Sequence, residues 1–241
     1  MKRNNFPFSA VLGLNHAKTA ILIVLVNPRA GGLLISGPRG IGKSTLMRST
    51  QELIERPWRD IPVSVTEDRL FGTIDTEKAI YSGQKKLYPG IINEADQGVL
   101  YLDVANLLRE DLLDSILNIA EVGAYQLERD GLSLRCDTSF TIIAAINPES
   151  GMLSGACLDQ FGLFVNVDNI HDENTRVEIL KRTISFEKDC ASFCNLWKLE
   201  NEKIKKAIHS AMSLLPKVVV SSVMIQLASV YALKAHVSGH R

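Results

Sequence analysis

The stretch "LLISGPRGIGKSTLM", residues 33–47, decides the fold of this chain. Its apolar first part is followed by a glycine-rich turn that fits the pattern G-x-x-x-x-G-K-[ST] through Gly37, Gly42, Lys43 and Ser44. Glycines let the backbone turn inward, so that its N–H groups can point at phosphate oxygens. The pattern therefore predicts a phosphate-binding loop between a strand and a helix; the alternative is a glycine-rich turn before a cationic helix.

The residues of this loop have separate predicted tasks. The N-terminus of the following helix favours negative charge. Lys43 is predicted to reach the β- and γ-phosphates and the Ser44 hydroxyl to bind Mg²⁺. The predicted cofactors are therefore ATP and Mg²⁺. The candidate nucleotide-binding residues are Gly37, Pro38, Arg39, Gly40, Ile41, Gly42, Lys43, Ser44, Thr45 and Asp103.

Asp103 belongs to a second informative stretch, "GVLYLDVANLL", residues 98–108. An apolar run ends in this single aspartate, and ligands of open α/β sheets bind outside the carboxyl ends of the strands. We therefore expect Asp103 to share one Mg²⁺ with Ser44; the alternative is an aspartate that only caps the next helix. The residue after it, Val104, has no proton acceptor.

Short apolar runs alternate with helical patterns over the first two thirds of the chain. Predicted strands cover 31–36, 61–65, 99–102, 140–146 and 163–167, with helices over 44–55 and 109–122 between them. Near-continuous apolar strands separated by helices indicate a parallel sheet that is covered on both faces. The predicted fold class is α/β, a three-layer parallel-sheet P-loop domain over residues 1–168.

The sequence changes character after Asp168. Charged segments with apolar residues at three-to-four spacing predict helices, and the polar residues 168–172 are candidate helix caps. We expect residues 169–241 to form a small helical domain.

Composition and charge give no support to nucleic-acid binding, membrane binding or secretion. Lys+Arg and Asp+Glu both number 27, and this balance gives no support to a nucleic-acid or membrane-surface binder. The apolar run 20–26 is too short to span a bilayer, and the N-terminus does not fit a secretory signal. The four cysteines lack zinc-site spacing and are expected to be reduced thiols in a cytoplasmic protein: Cys136, Cys157, Cys190 and Cys194.

Six blocks resemble, in order, the ATPase subunit of magnesium chelatase, an AAA+ protein of the chlorophyll pathway with relatives in cobalt chelatases. They are "FPFSAVLGL", "NPRAGGLLISGPRGIGKST", "TEDRLFGTIDTEKAIYSG", "PGIINEADQGVLYLD", "AINPESG" and "LDQFGL". The resemblance runs from Phe6 to the end of the chain. It implies a homo- or hetero-oligomeric ring, a hexamer in the family, with other chelatase-like subunits as partners. It also implies a location in the cytoplasm, or in the plastid stroma if the chain is plastid-encoded.

The resemblance also implies roles for individual positions. Lys43 and Ser44 match the Walker A pair, and Asp103 matches the Walker B magnesium ligand. Asn147 resembles sensor 1, which positions the attacking water, and Arg241 matches sensor 2 in the helical lid domain. Two segments are also implied: residues 11–13 along the adenine, and a hairpin insertion over 121–137 that is directed toward the ring pore or partner subunits.

Two positions depart from the family pattern. Val104 stands where the family has the water-activating glutamate, and Gln160 stands where it has the arginine finger that reaches a neighbouring subunit's γ-phosphate. In addition, the chain stops at Arg241 where family members continue, so the lid is expected to be incomplete. Nucleotide binding is expected to persist, because the phosphate loop and Asp103 are intact.

Three hypotheses remain open. The chain is an ATP-binding chelatase-type subunit whose own hydrolysis is weak or absent; or an active motor with a substitute base; or a non-enzymatic ring subunit locked by bound ATP. Nearby acids are expected to be solvated charges rather than a substitute base: Glu94, Asp96, Glu110 and Asp111. The sequence does not place Glu67 and Asp68 relative to the site.

Overall fold

The fold is known from a computed structural model that describes residues 5–74, 87–129 and 132–234. Its strands in this part are β1 (Leu33–Ser36), β2 (Trp58–Ile61), β3 (Gly72–Ile74), β4 (Leu87–Pro89), β5 (Val99–Leu102), β6 (Ala124–Arg129), β7 (Leu132–Asp137), β8 (Thr141–Ile146) and β9 (Leu163–Asn166). Five of them form one sheet in the order β2-β5-β8-β1-β9. Every pairing in that sheet is parallel, as predicted.

The helices of the described part are α1 (Asn15–Val26), α2 (Lys43–Thr50), α3 (Glu67–Phe71), α4 (Ile91–Glu94), α5 (Glu110–Val122), α6 (Gly155–Asp159), α7 (Glu173–Lys188), α8 (Cys190–Leu214) and α9 (Ser222–Lys234). Short 3₁₀ turns join several of them, including Ala105–Leu107 after β5 and Pro148–Ser150 after β8.

The sheet separates two hydrophobic clusters. Every residue of β1, β5 and β8 is buried, which is the pattern of parallel strands covered on both faces. Alternate residues of β5 point to opposite sides: Leu100 and Leu102 pack with α5, while Val99 and Tyr101 pack with α1 and α2. The predicted three-layer α/β fold is therefore confirmed.

Most predicted elements are confirmed within a few residues, but the second strand was predicted wrongly. It covers Trp58–Ile61 rather than 61–65. Pro62 lacks the N–H that a ladder needs, and it begins a turn in which the Val65 amide donates to the Pro62 carbonyl at 3.0 Å. The true strand is at the sheet edge, where its polar residues Arg59 and Asp60 are exposed.

The carboxyl-terminal part of the described chain is helical, as predicted. Asp172 caps α7, because its carboxylate accepts from the Thr175 amide at 2.7 Å. The change from sheet to helices falls between β9 and α7, and the domain boundary at Asp168 stays a prediction. In the described part, no single helix is long and apolar enough to cross a bilayer; by length and composition alone, Cys190–Lys217 and Ser222–Lys234 qualify only as a pair bent by 104°.

Two antiparallel pairs lie outside the main sheet. β6 pairs with β7, which confirms a hairpin in the predicted insertion over 121–137; Asp130 and Gly131, between the two strands, lie outside the described residues. β3 pairs with β4. The Tyr125 hydroxyl ties the hairpin to the domain by contacting the Phe71 carbonyl at 2.7 Å and the Asn93 side chain at 2.6 Å.

Candidate functional site

The phosphate loop runs from the end of β1 to the start of α2, the context that the motif requires. Gly40 and Gly42 have φ angles of +79° and +95°, which favour glycine. At Gly37 a Cβ atom would lie 2.5 Å from the Val167 side chain. The glycines of the motif are therefore required by the backbone path, and the loop leads directly to the helix N-terminus.

Lys43 folds back over this loop. Its ammonium group donates to the carbonyls of Gly37 and Pro38, the latter at 2.8 Å. Burial lowers the pKa of Lys43, while the carboxylates of Asp103 and Glu149 oppose that shift. The lysine thus sits at the loop with two carbonyl contacts that a phosphate oxygen can replace.

Ser44 and Asp103 come together although they are 59 residues apart. The Ser44 hydroxyl lies 3.2 and 3.0 Å from the two carboxylate oxygens of Asp103. Hydroxyl and carboxylate oxygens suit Mg²⁺, which usually takes few protein ligands and completes its shell with phosphates and water. No group of three or more histidine, cysteine, aspartate or glutamate side chains could hold a metal in the described ranges. The residues present fit a nucleotide-linked Mg²⁺.

Asn147 follows β8, the strand between β1 and β5, and so lies between the phosphate loop and Asp103. It is 3% exposed. Its side-chain oxygen accepts from the Glu149 amide at 3.3 Å, and its amide group contacts the Ser150 hydroxyl at 3.4 Å. These bonds fix the side chain beside the pocket, and the sensor 1 role stays a prediction.

These groups line a cavity of about 320 Å³. Its lining residues are Arg39, Gly40, Gly42, Lys43, Ser44, Thr45, Asp103, Val104, Leu107, Ala145, Ile146 and Asn147. Asp103 is the one carboxylate among them. A larger groove of about 860 Å³ lies elsewhere and is lined in part by Glu67, Asp114 and Glu128, so its acidic lining is unsuited to phosphate.

Val104 occupies the place beside Asp103 with an apolar side chain and an unusual backbone. Its φ and ψ angles are +56° and +54°, the left-handed region, which a β-branched residue rarely adopts. The side chain lines the cavity near Leu107 and Ala145. This part of the pocket therefore offers no side-chain group that could take a proton from water.

Gln160 lies far from this chain's own phosphate loop. It follows α6, and two residues later the Gly162 amide donates to the Gly31 carbonyl at 2.8 Å, before β1 begins. The phosphate loop leaves the opposite, carboxyl edge of the same strand. Gln160 instead borders a groove with Asp114, Glu121 and Asp159. Arg241, the predicted sensor 2 residue, lies outside the described residues.

Three of the acids near the site pair with arginines. Glu94 pairs with Arg59 at 2.9 Å and with Arg69 at 2.8 Å, and the hydrogen bond from Arg69 is the main cause that lowers the pKa of Glu94. Glu67 and Asp111 both pair with Arg109. Neither these three carboxylates nor those of Asp68, Asp96 and Glu110 are among the residues that line the 320 Å³ cavity.

Two residues near the site were missed by sequence reasoning. The Asn106 amide donates to the carbonyls of Asn147 and Gly151 at 2.9 and 2.8 Å, which fixes the turn after β8. Tyr101 is 2% exposed beneath Asp103. Burial raises the pKa of Tyr101, and the Asp103 carboxylate raises it further, so the phenol stays protonated. The signal in the sequence for Tyr101 is its place two residues before Asp103 in an otherwise aliphatic run.

The parallel sheet, the phosphate loop and the Ser44–Asp103 pair define a P-loop nucleotide-binding domain. In agreement, the AAA domain (dynein-related subfamily) matches residues 32–160. The magnesium-chelatase 38 kDa subunit of Rhodobacter capsulatus is 35% identical, over 88% of this chain and 70% of that protein. The corresponding subunit of Chlorobaculum tepidum is 32% identical, over 98% of this chain and 71% of the relative. The chain therefore belongs to the family of magnesium-chelatase ATPase subunits of the AAA type.

Further relatives agree with this assignment. The magnesium-chelatase subunit ChlI homolog of Methanocaldococcus jannaschii is 32% identical, over 98% of this chain and 75% of its own length. A structure of the complex between subunits BchI and BchD of magnesium chelatase, based on a single-particle cryo-EM reconstruction, is similar with a TM-score of 0.65. The similarity covers 89% of this chain and 77% of that one at 35% identity. Sequence and fold thus point to the same family.

Proposed function

We propose that this chain is an ATP- and Mg²⁺-binding subunit of a magnesium-chelatase-like complex, and that its own ATP hydrolysis is weak or lost. One observation carries the proposal. The phosphate pocket has a complete set of binding groups, yet Asp103 is the single carboxylate among its lining residues and Val104 stands beside it. Such a pocket is suited to holding a nucleotide and poorly suited to activating water.

Binding rests on groups that the structure brings together. The loop amides and the N-terminus of α2 face the phosphate position with favourable dipoles. Lys43 adds a positive charge, and Ser44 and Asp103 supply oxygen ligands for the cation. Mg²⁺, when bound, neutralises phosphate charge. These are ground-state contacts, and neither Val104 nor Gln160 contributes a charge to them.

Hydrolysis requires groups that this chain lacks at the matching positions. General base catalysis typically contributes ~10²–10⁴ in rate, and an arginine finger ~10³–10⁵. Valine can supply no base, and glutamine at position 160 carries no positive charge. The two losses do not multiply, because such groups act as a unit. Either loss alone is enough to make turnover slow.

The names of the relatives support the larger role. Several are magnesium-chelatase subunits, and the similar structure is a complex of BchI with BchD. We accordingly propose that this chain joins a homo- or hetero-oligomeric AAA+ ring, hexameric as in the family, with other chelatase-like subunits. The complex would insert a metal ion into a tetrapyrrole, as in chlorophyll biosynthesis, in the cytoplasm or the plastid stroma.

The test pairs nucleotide affinity with steady-state hydrolysis, each measured alone and in a mixture with a complete homologous ATPase subunit. The expected result is Mg²⁺-dependent ATP binding with little phosphate release by the chain alone. A Lys43→Ala variant provides the control, because it removes the phosphate contact. Hydrolysis at the rate of the complete homologue would refute the proposal, as would failure of the wild-type chain to bind ATP.

A second candidate function, an active motor, is favoured by one observation. The Glu149 carboxylate lies close enough to Lys43 to act on its pKa, although it does not line the cavity, so an acid other than those considered from the sequence lies near the site. If Glu149 is a substitute base, Glu149→Gln abolishes a substantial wild-type hydrolysis and Val104→Glu adds little. If hydrolysis is lost, Glu149→Gln changes nothing measurable.

A further inference from the structure

Tyr101 carries a buried hydroxyl that lies beside Asp103 and Ser44 without forming a hydrogen bond of normal geometry. The side chain is 2% exposed, on β5, and its oxygen is without a partner among the described residues. Buried polar groups in folded proteins are nearly always satisfied, because an unmatched hydroxyl forfeits its bonds to water. An exception two residues before a proposed metal ligand calls for a functional explanation.

The position of the hydroxyl is fixed by its surroundings. Asp103 follows directly after β5, and its carboxylate lies close enough to the Tyr101 hydroxyl to act on it. The Tyr101 ring packs at 5.9 Å from the Trp58 ring within the cluster against α1 and α2. The charged and polar groups that act on its hydroxyl are Asp103, Ser44 and Asp60. The phenol is thus held on the buried side of the Ser44–Asp103 pair.

The Asp103 carboxylate has room for another donor. A carboxylate has about four lone-pair sites, and in the described part the Ser44 hydroxyl, at 3.0 and 3.2 Å, is the one side-chain donor that meets this carboxylate with normal hydrogen-bond geometry. Tyr101 is a donor that is rigid, buried and not used elsewhere. In metal sites, such outer partners fix the orientation of the ligating oxygen.

We propose that Tyr101 is a positioning residue for the cation: its hydroxyl donates to Asp103 in the nucleotide-bound state and aims this carboxylate at Mg²⁺. The inference rests on the proposed nucleotide and Mg²⁺ binding, and it assigns the hydroxyl no contact with the nucleotide. This role explains why position 101 carries a tyrosine with an unsatisfied hydroxyl, although a phenylalanine would fill the same space.

The test is Tyr101→Phe, with Tyr125→Phe as the matched control. The control removes a hydroxyl that bonds the hairpin to Phe71 and Asn93 and does not line the 320 Å³ cavity. Mg²⁺ is titrated into each protein at saturating ATP, and the half-saturating concentration is determined from the melting temperature and, independently, from Mn²⁺ competition. We expect Tyr101→Phe to raise the half-saturating Mg²⁺ concentration about tenfold, and Tyr125→Phe to leave it unchanged.

Measurements in EDTA separate positioning from packing. Because the Tyr101 hydroxyl has no hydrogen bond of normal geometry among the described residues, Tyr101→Phe is expected to melt no lower than wild type in EDTA and to bind metal-free ATP equally well. An unchanged Mg²⁺ requirement overturns the proposal, and so does a variant that is unfolded or equally weakened in EDTA. A wild-type chain that binds no ATP refutes the proposed function, a result that is distinguishable because it appears before any variant is compared.

Discussion

At the scale of single residues, Val104 has both a chemical and a conformational consequence. Chemically, it places methyl groups where an acid would activate water. Conformationally, its φ angle of +56° forces a β-branched side chain into the left-handed region. The backbone at this position is therefore set by the turn into Ala105–Leu107 rather than by the preference of valine.

Val104→Glu is expected to raise ATP hydrolysis, because it restores a proton acceptor beside Asp103. The gain is expected to be about 10²-fold, at the low end of general base catalysis, since position 160 still lacks an arginine. Phosphate release under saturating Mg²⁺ and ATP measures it. Val104→Gln is the control, with similar size and no base; equal rates in the two variants would contradict the prediction.

Val104→Gly is expected to stabilise the fold by about 0.5–1 kcal/mol. Left-handed backbone costs an L-residue about 1–2 kcal/mol, and the greater freedom of glycine in the unfolded chain cancels part of the gain. Urea unfolding gives the free energy. Ala105→Gly, at the adjacent buried alanine, has no positive φ to relieve and is expected to change stability in the opposite direction.

Residue by residue, the sequence predicts the binding groups better than their supports. Lys43, Ser44 and Asp103 come from motifs whose spacing reflects the chemistry of phosphate and Mg²⁺, and the structure brings them together. Asn106 and Tyr101 belong to no such motif, because their effect depends on which carbonyl or carboxylate they meet after folding. That the Tyr101 hydroxyl is buried without a normal hydrogen bond can be recognised only from the folded structure.

At the scale of elements, the N-terminal segment is fixed by cations from two helices. Lys18, on α1, donates to the Val11 carbonyl. Arg182, on α7, donates to the Ala10 carbonyl at 3.0 Å, and its guanidinium lies 4.5 Å from the centre of the Trp197 ring. The segment next to the phosphate loop is thereby tied both to the sheet domain and to the carboxyl-terminal helices.

Arg182→Met is expected to lower the free energy of unfolding by about 2 kcal/mol, because it removes a charged hydrogen bond and a cation–π contact while keeping most of the aliphatic stem. Lys203→Met is the control: its pair with Glu200 is exposed and expected to contribute less than about 0.5 kcal/mol. Denaturant unfolding of both variants is the measurement. Similar losses in the two would show that the bridge between the segments contributes little.

Elements were predictable where their burial left a simple pattern. β5 was predicted at its observed bounds, because a fully buried strand is a short continuous apolar run. The edge strand β2 contains exposed polar residues, which hide it in the sequence. The apolar pattern therefore predicts a strand over 61–65, beyond the true one. The apolar run 20–26 lies within α1, and its composition alone does not distinguish a buried helix from a strand.

At the scale of the whole molecule, Gln160 and the phosphate loop lie at opposite edges of one sheet. A side chain at position 160 lies at the opposite edge from its own phosphate loop, so an effect on hydrolysis would come through the neighbouring subunit of the proposed ring. The two departures from the family pattern therefore concern different sites. Val104 affects this chain's own nucleotide site, and Gln160 would affect the nucleotide site of the next subunit in a ring.

Gln160→Arg in the Val104→Glu background is therefore expected to raise hydrolysis per subunit only at protein concentrations that allow assembly. ATP affinity in dilute solution is expected to stay unchanged. Phosphate release measured across a concentration series, with sedimentation at the same concentrations, provides the check. Gln160→Lys is the control, because an ammonium group lacks the planar fork of arginine; a gain that is independent of concentration would contradict the prediction.

The order of strands in the sheet also constrains how the site arises during synthesis. The phosphate loop and Asp103 follow β1 and β5, but these strands are not neighbours: β8, made later, is inserted between them. A nascent chain that has reached only Asp103 already contains the lysine, the serine and the aspartate, yet it lacks the strand that sets their spacing. Bound ATP can therefore stabilise the folded state only after residues 141–146 have left the ribosome. If β1 pairs with β5 before then, that pairing has to break before β8 can insert between them.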